Sequence, residues 1–377
     1  MRYEVAVVGA GPAGAIAAAT LARQGRRVVL LDGGRHPSAF AGGESLPPLA
    51  PALRHELALG TVLASGAHLP CYGNASVWGS REIQYQHFIT SPYGAGWHLD
   101  RPAFDAALRE QAEAAGAQLL VSQLRALRPT ASGDWHLRLQ TPSGEQQALA
   151  TWVLDCSGRR RVVSRQLGQP YRHHDRLVAY CQHYSLPAGA PADDDRLTLV
   201  EAAPWGWGHS AGLPGGARAV TLFADASPAS GRQLGTPAGF ATALLALPQL
   251  AGLLRAHGYV PLGALRATDA RTGCLSQLAG AGWLAAGDAA TAFDPLAAQG
   301  ILAAVWAGHR AALALGQALA GDAAALPVYA RQVQERFAHL RAQSQHFYGQ
   351  ERRWASEPFW RARHQPADAV PAAFFRT

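Results

Sequence analysis

Val5-Ala6-Val7-Val8-Gly9-Ala10-Gly11-Pro12-Ala13-Gly14 decides how this chain is read. The aliphatic run from Val5 to Val8 has the composition of a strand buried on both faces. Three glycines follow it at once, in the spacing Gly9, Gly11, Gly14. Ala15 to Gln24 then reads as a helix of small residues closed by Gly25. A second aliphatic run, Val28 to Leu31, ends in Asp32 and Gly33. Each part of this β-α-β unit has a physical task. Gly9 permits the tight turn out of the strand. Gly11 lets backbone approach a pyrophosphate with no Cβ in the way. Gly14 lets the helix pack closely on the sheet. Pro12 and Ala13 open a helix whose free N–H groups and positive dipole end favour phosphate. Asp32, about 20 residues on, is placed to accept hydrogen bonds from an adenosine ribose. The unit predicts dinucleotide binding.

Far downstream, Gly282-Trp283-Leu284-Ala285-Ala286-Gly287-Asp288-Ala289-Ala290 reads as a short buried strand that ends at Gly287-Asp288, where an acid can bind a polyol hydroxyl. Phe293-Asp294-Pro295 and Gln299-Gly300-Ile301-Leu302 follow, with Pro295 and Gly300 marking an ordered loop and Ile301 to Ala318 a helix. Between these ends lie Gly43-Glu44-Ser45-Leu46-Pro47, Asp100-Arg101-Pro102-Ala103-Phe104-Asp105 and Val153-Leu154-Asp155-Cys156-Ser157-Gly158.

Taken together, these motifs resemble the flavoprotein family with the para-hydroxybenzoate hydroxylase fold, and within it the halogenase-like branch. The resemblance implies an α/β chain: an FAD-binding Rossmann-like lobe of the glutathione-reductase type, an inserted β-sheet substrate lobe, and C-terminal helices. It implies FAD as cofactor. Asp288 would hold the ribityl chain, and Gly300 and Ile301 would present N–H groups to the pyrimidine edge. Arg101 would lie near the cofactor, and the Glu44-Ser45 loop would run beside the flavin. Such N–H donors stabilise negative charge on a reduced ring.

The substrate side is read from Trp205-Gly206-Trp207-Gly208-His209-Ser210 and from Phe347-Tyr348-Gly349-Gln350-Glu351-Arg352-Arg353-Trp354 with Phe359-Trp360. These resemble the same branch, although core packing explains an aromatic cluster equally well. Halogenases of this type use a lysine to carry the activated halogen, and the sequence contains no lysine. The resemblance that remains is to halogenase-like monooxygenases, including the companion flavoproteins that oxidise a tryptophan of a partner protein during cysteine tryptophylquinone formation. It implies hydroxylation of an electron-rich aromatic through a flavin C4a-hydroperoxide, the aromatic being a small molecule or a partner-protein side chain. Glu44 and His209 are the candidates for handling protons. A lone histidine in a glycine-rich segment also has a plain structural reading. A reductase of isoprenoid double bonds and a non-catalytic flavin-binding partner protein are the rival classes.

The FAD motifs are spread along the chain, so the FAD lobe is expected to be discontinuous: 1–75, 98–170 and 266–325. Residues 76–97 and 171–265 form the substrate lobe, with strand-like runs at Ile83–Ile89, Leu177–Tyr184, Leu197–Glu201 and Ala219–Phe223. Residues 326–377 form the C-terminal helical segment. There is no second Gly-x-Gly-x-x-Gly unit, so NAD(P)H would bind transiently, or an external flavin reductase would supply electrons. The net charge of +7 is carried by arginine alone, in short clusters such as Arg159-Arg160-Arg161. No nucleic-acid motif accompanies them. Cys71, Cys156, Cys181 and Cys274 are isolated, so no metal site is expected. No signal peptide and no apolar run of about 18 residues is read, which places the chain in the cytoplasm with no transmembrane segment. Oligomeric state is not legible.

Overall fold

The computed structural model describes residues 1–34 and 42–365. The opening motif folds as β1 (Arg2–Val8), α1 (Pro12–Arg23) and β2 (Val28–Asp32). Both strands are parallel and almost wholly buried. The sheet continues on one side to the strand Gln118–Val121. On the other it runs to Gly144–Asp155 and then Trp283–Ala285, all parallel, with the short antiparallel strand Ala279–Gly280 at the edge. Helix α2 (Arg101–Ala114) and the long helix α3 (Gly300–Leu319) flank it. Close packing of α1 on α3 requires glycine. A methyl group on Gly308 would collide with the Ala13 carbonyl, and one on Gly287 would come within 2.7 Å of the Ala13 Cβ. The Rossmann-like lobe expected from the sequence is therefore present and is assembled from distant parts of the chain.

A second sheet of seven strands forms the other lobe. Its order is Val260–Asp269, β3 (Leu177–Ser185), β4 (Ala217–Asp225), β5 (Gly206–Gly212), β6 (Leu197–Ala203), Gly73–Val77 and Gln84–His87. All neighbours are antiparallel except β6 with Gly73–Val77. The expected lobe boundaries at 75/76 and 265/266 fall inside two of these strands, so ladder pairing carries the sheet from residue 73 to residue 269. The strand expected over Ile83–Ile89 is shorter. It spans Gln84–His87 and gives way to a 3-10 turn over Phe88–Thr90, with Phe88 N–H still bonded to the Tyr72 carbonyl at 2.7 Å.

Helix α4 (Ala325–Gln350) buries Tyr329, Val333, Phe337, Leu340, Ser344 and Tyr348, a three-to-four-residue stripe. It packs on α3, and its end reaches the second lobe. There Trp78 Nε1 donates to the Phe347 carbonyl at 2.7 Å, and Trp360 Nε1, from α5 (Pro358–His364), donates to the Ala203 carbonyl at 2.9 Å. Trp207, Tyr348, Phe359 and Trp360 of the expected aromatic cluster are thus packed core, and the indole N–H groups of Trp207 and Trp360 are satisfied. The C-terminal segment beyond residue 365 lies outside the described residues. Among the described residues no single helix is long and apolar enough to cross a membrane. The four cysteines are free thiols, three of them buried.

Candidate functional site

The site starts at the end of β1. Gly9 adopts φ +108°, and any side chain there would strike the Cys156 carbonyl on the neighbouring strand's turn. A Cβ on Gly14 would collide with the Gly9 carbonyl. Gly11 differs: nothing lies within 4 Å of its Cβ position. It is the N-cap of α1, with Pro12 at the first helical position, no side-chain cap and no acid in the first turn. The first-turn N–H groups of α1 are therefore free to bind an anion. Asp32 is buried at the end of β2, where Oδ1 accepts from Gly34 N–H at 2.9 Å. The Gly33 carbonyl is held by Gln123, and the Arg160 guanidinium lies beside Gly33. The cradle is closed from below by Asp155, which is fully buried and accepts from Ser157, Val163 and Ser164.

Gly287, at φ +59°, turns the chain after Trp283–Ala285 and sets out Asp288, whose side chain is 34% exposed. Arg159 Nε stands 3.4 Å from Asp288 Oδ2. Burial raises the Asp288 pKa, opposed by the charges of Arg159 and Arg101. The loop that follows carries a short 3-10 turn over Pro295–Ala297, capped by Asp294. Ala298 takes a left-handed φ of +51°, and α3 begins at Gly300 with no side-chain cap. Gly300 has open space around its Cβ position, so the first N–H groups of α3, at Gly300 and Ile301, form a second free helix start.

Arg101 opens α2 behind its N-cap Asp100, which accepts from Ala103 N–H at 2.9 Å. Its Nη1 donates to Glu44 Oε1 at 2.8 Å and its Nη2 reaches Asp105 at 3.2 Å. Two buried polar atoms are left over here, Arg101 Nε and Glu44 Oε2. Glu44 is thus engaged with Arg101 through one oxygen. Ser45 is turned away: its Oγ lies 2.8 Å from His98 Nδ1 and 3.2 Å from Thr198 Oγ1, so its hydroxyl is committed to the seam between the lobes and not to the groove. His98 is fully buried, and its Nε2 faces the Arg196 carbonyl at 3.1 Å. That carbonyl can only accept, so Nε2 carries the proton and Nδ1 accepts from Ser45, an assignment made from the hydrogen-bond network. Burial lowers the His98 pKa to about 4.

The face of the second sheet lies over this loop. His209, on β5, comes within 3.2 Å of the Gly43 Cβ position, beside Ala211 and Ala219, and Thr221 donates to the Gly42 carbonyl at 3.3 Å. Burial lowers the His209 pKa to about 4, helped by His98 and Arg218, so the imidazole is neutral at physiological pH. Trp207 and Phe223 share that face, stacked with ring centroids 3.9 Å apart.

Two parts of the site were not read from the sequence. Arg159 belongs to the short cluster Arg159-Arg160-Arg161, yet it donates to the Arg271 and Phe293 carbonyls at 2.6 and 3.0 Å and approaches Asp288. Its one sequence signal was its place directly after Gly158, which turns at φ +64°. The buried hydrogen bond between Tyr348 and Asp294 joins residues far apart in sequence and left no local signal.

The residues fit a flavin dinucleotide. A pyrophosphate needs a Cβ-free approach and uncapped N–H groups, which Gly11 and α1 offer. A ribityl chain needs an accessible acceptor, which Asp288 offers, and the orphaned Arg101 Nε and Glu44 Oε2 mark polar atoms awaiting a partner. The comparisons agree. Residues 2–182 match the FAD binding domain family. A putative FAD-dependent oxidoreductase, LodB of Marinomonas mediterranea, is 26% identical over 365 residues, 96% of this chain and 97% of that one. A menaquinone reductase of Mycobacterium tuberculosis is 30% identical over 307 residues, 79% of this chain and 72% of that one. Among solved structures, the myxobacterial chondrochloren halogenase CndH superposes with TM-score 0.86 at 22% identity, over 99% of this chain and 88% of that one. The peptidyl tryptophan dihydroxylase QhpG superposes with TM-score 0.73 at 23% identity, over 98% and 81%.

Proposed function

This chain belongs to the family of FAD-dependent oxidoreductases that carry the FAD binding domain; from that premise we propose that it hydroxylates an electron-rich aromatic ring, the tryptophan side chain of a partner protein being the preferred substrate. One observation carries the reading. The part of the second sheet that covers the Gly42–Gly43 loop is uncharged at neutral pH, built from His209, Ala211, Ala219 and Thr221, beside the packed pair Trp207 and Phe223 on the same face. Such a roof excludes water and offers no amine to carry a halogen, because the chain contains no lysine.

When bound, reduced FAD supplies the two electrons and the oxygen activation that place one atom of O2 on the ring and release the other as water. The chain's own residues bind and orient. The α1 terminus with Gly9, Gly11, Pro12, Ala13 and Gly14 holds the pyrophosphate, Asp32 and Gly33 the adenosine end, and Asp288 a ribityl hydroxyl. The α3 terminus at Gly300 and Ile301 supplies donors for charge on the pyrimidine edge. His98 fixes the Gly43–Ser45 loop through Ser45, and Glu44 keeps Arg101 in place. Neutral His209 serves as a hydrogen-bonding wall. The likeness in fold to a peptidyl tryptophan dihydroxylase supports a protein-borne substrate.

A second reading, reduction of a substrate double bond or quinone, is favoured by the 30% identity to a menaquinone reductase. Oxygen separates the two. The test supplies the FAD-loaded protein with a reductant, 18O2 and either indole compounds or a tryptophan-bearing partner protein. Label in the product supports the hydroxylase. Equal turnover without oxygen supports the reductase and removes the first reading.

A further inference from the structure

The second sheet and the loop after Gly287-Asp288 are joined by a buried hydrogen-bonded chain that passes through the C-terminal helix. Trp207 Nε1 donates to the Tyr348 hydroxyl at 3.0 Å, and that hydroxyl donates to Asp294 Oδ2 at 2.8 Å. Asp294 Oδ1 accepts from Leu296 N–H at 2.9 Å and so caps the 3-10 turn over Pro295–Ala297. All three side chains are buried: Trp207 is 2% exposed, Tyr348 3% and Asp294 6%. They come from three separate elements, β5, α4 and the cofactor-side loop.

We propose that Tyr348 is a positioning residue that sets the loop 294–301 against the substrate sheet, so that the C-terminal helix fixes the gap in which the reaction takes place. The proposal rests on the FAD site described above and extends it to a residue outside the groove.

The geometry leaves each partner little choice. Trp207 is clamped by its stack on Phe223 and by edge contact with Trp78 at 6.4 Å, so its N–H points one way. Tyr348 is held by rings on its other sides, Trp78 and Trp360 both at 6.0 Å, and by the Arg363 guanidinium 5.0 Å over its face. Both Asp294 oxygens are used. The loop they hold contains Ala298 in a left-handed conformation, which persists only where its surroundings impose it. Replacing Tyr348 by phenylalanine leaves an indole N–H and a carboxylate oxygen buried without partners, and the cheapest relief is movement of the loop toward water.

The link also predicts a pH signature. Burial raises the Asp294 pKa to about 6, aided by the Asp175 carboxylate and opposed by Arg363, by Leu296 N–H and by Tyr348. Arg363 is itself paired with Asp225. Because burial raises this pKa, the neutral acid favours the seated loop. As pH falls through about 6, Asp294 takes up a proton, the loop should tighten and FAD affinity should rise. Above about 6 the charged carboxylate leans on the Tyr348 hydroxyl. Without the Tyr348 hydroxyl, a stabiliser of the charged form is gone, so the midpoint should move upward.

The experiment is a titration of FAD into apo-protein from pH 5 to 8, for wild type, Tyr348→Phe and Asp294→Asn. Tyr348→Phe should weaken FAD about tenfold at pH 7.5 and raise the pH midpoint. Asp294→Asn keeps an acceptor for Leu296 and a hydrogen bond to Tyr348, so it should bind within about threefold of wild type and show no midpoint near 6. Unchanged affinity and midpoint in Tyr348→Phe overturn the proposal while leaving the FAD site intact. Failure of wild type to bind FAD overturns both. If Tyr348→Phe does not fold, Asp294→Asn decides, because a midpoint that persists there contradicts the link.

Discussion

Arg159 Nε lies 3.4 Å from Asp288 Oδ2, and the same guanidinium grips the Phe293 carbonyl in the loop that follows. The cation therefore offsets the cost of half-burying the one acid offered to the ribityl chain, and it ties that acid to the turn leading into α3. Asp288→Ala should weaken FAD by about 10- to 100-fold, the range for losing a hydrogen bond to a charged group. Flavin recovered per chain after gel filtration is the check. Full occupancy would remove Asp288 from the cofactor site.

The three glycines of the opening motif should separate stability from binding. Gly14→Ala forces a methyl group into the Gly9 carbonyl and should cost about 1–3 kcal/mol in urea unfolding. Gly11→Ala meets open space and has φ −78°, so the fold should be unaffected while FAD affinity falls on the order of tenfold. Equal FAD affinity for Gly11→Ala and wild type would mean that the pyrophosphate does not approach there.

Much of this site is legible because its signals are local. A glycine that must adopt φ +108°, a helix begun by Gly-Pro and an aliphatic run all sit within a dozen residues, and each has one physical explanation. Gly287-Asp288 is equally compact. What escaped is set by tertiary pairing. Nothing around Tyr348 distinguishes it from the other stripe positions of its helix until Asp294 and Trp207 are brought to it. Ser45 sits in a loop that resembles a flavin-side loop, but only pairing with His98 shows where its hydroxyl goes. The lobe boundaries shifted because strand continuity across Ala75 and Leu265 is fixed by ladder partners.

Glu44 should prove replaceable in kind but not in size. Glu44→Gln keeps an oxygen for Arg101 and should bind FAD within roughly threefold of wild type. Glu44→Ala leaves the guanidinium with Asp105 alone and should lose about 1–3 kcal/mol of stability, measured by thermal or urea melts. If Glu44→Gln binds FAD normally yet loses turnover, Glu44 handles a proton in addition to holding Arg101.

Buried His98 and partly buried His209 predict acid lability. Burial depresses the pKa of both His98 and His209 to about 4, so unfolding lets them take up protons between about pH 6.5 and 4. Their contribution is fully present above pH 6.5 and is lost as pH falls through that window, on the order of 3 kcal/mol for each. Asp294 acts oppositely, contributing below about pH 4 and losing its effect as pH rises to about 6. His98→Gln should flatten the fall in urea stability between pH 6.5 and 4. An unchanged slope would mean that His98 is protonated in the folded protein.

The most direct test of the account is the stoichiometry of FAD binding to apo-protein, measured by quenching of flavin fluorescence with ADP and NAD as competitors. One FAD per chain is expected, displaced by ADP at the Gly11 cradle, with little competition from NAD and a marked loss in Asp288→Ala. Absence of saturable FAD binding, or tight NAD binding in its place, would contradict it.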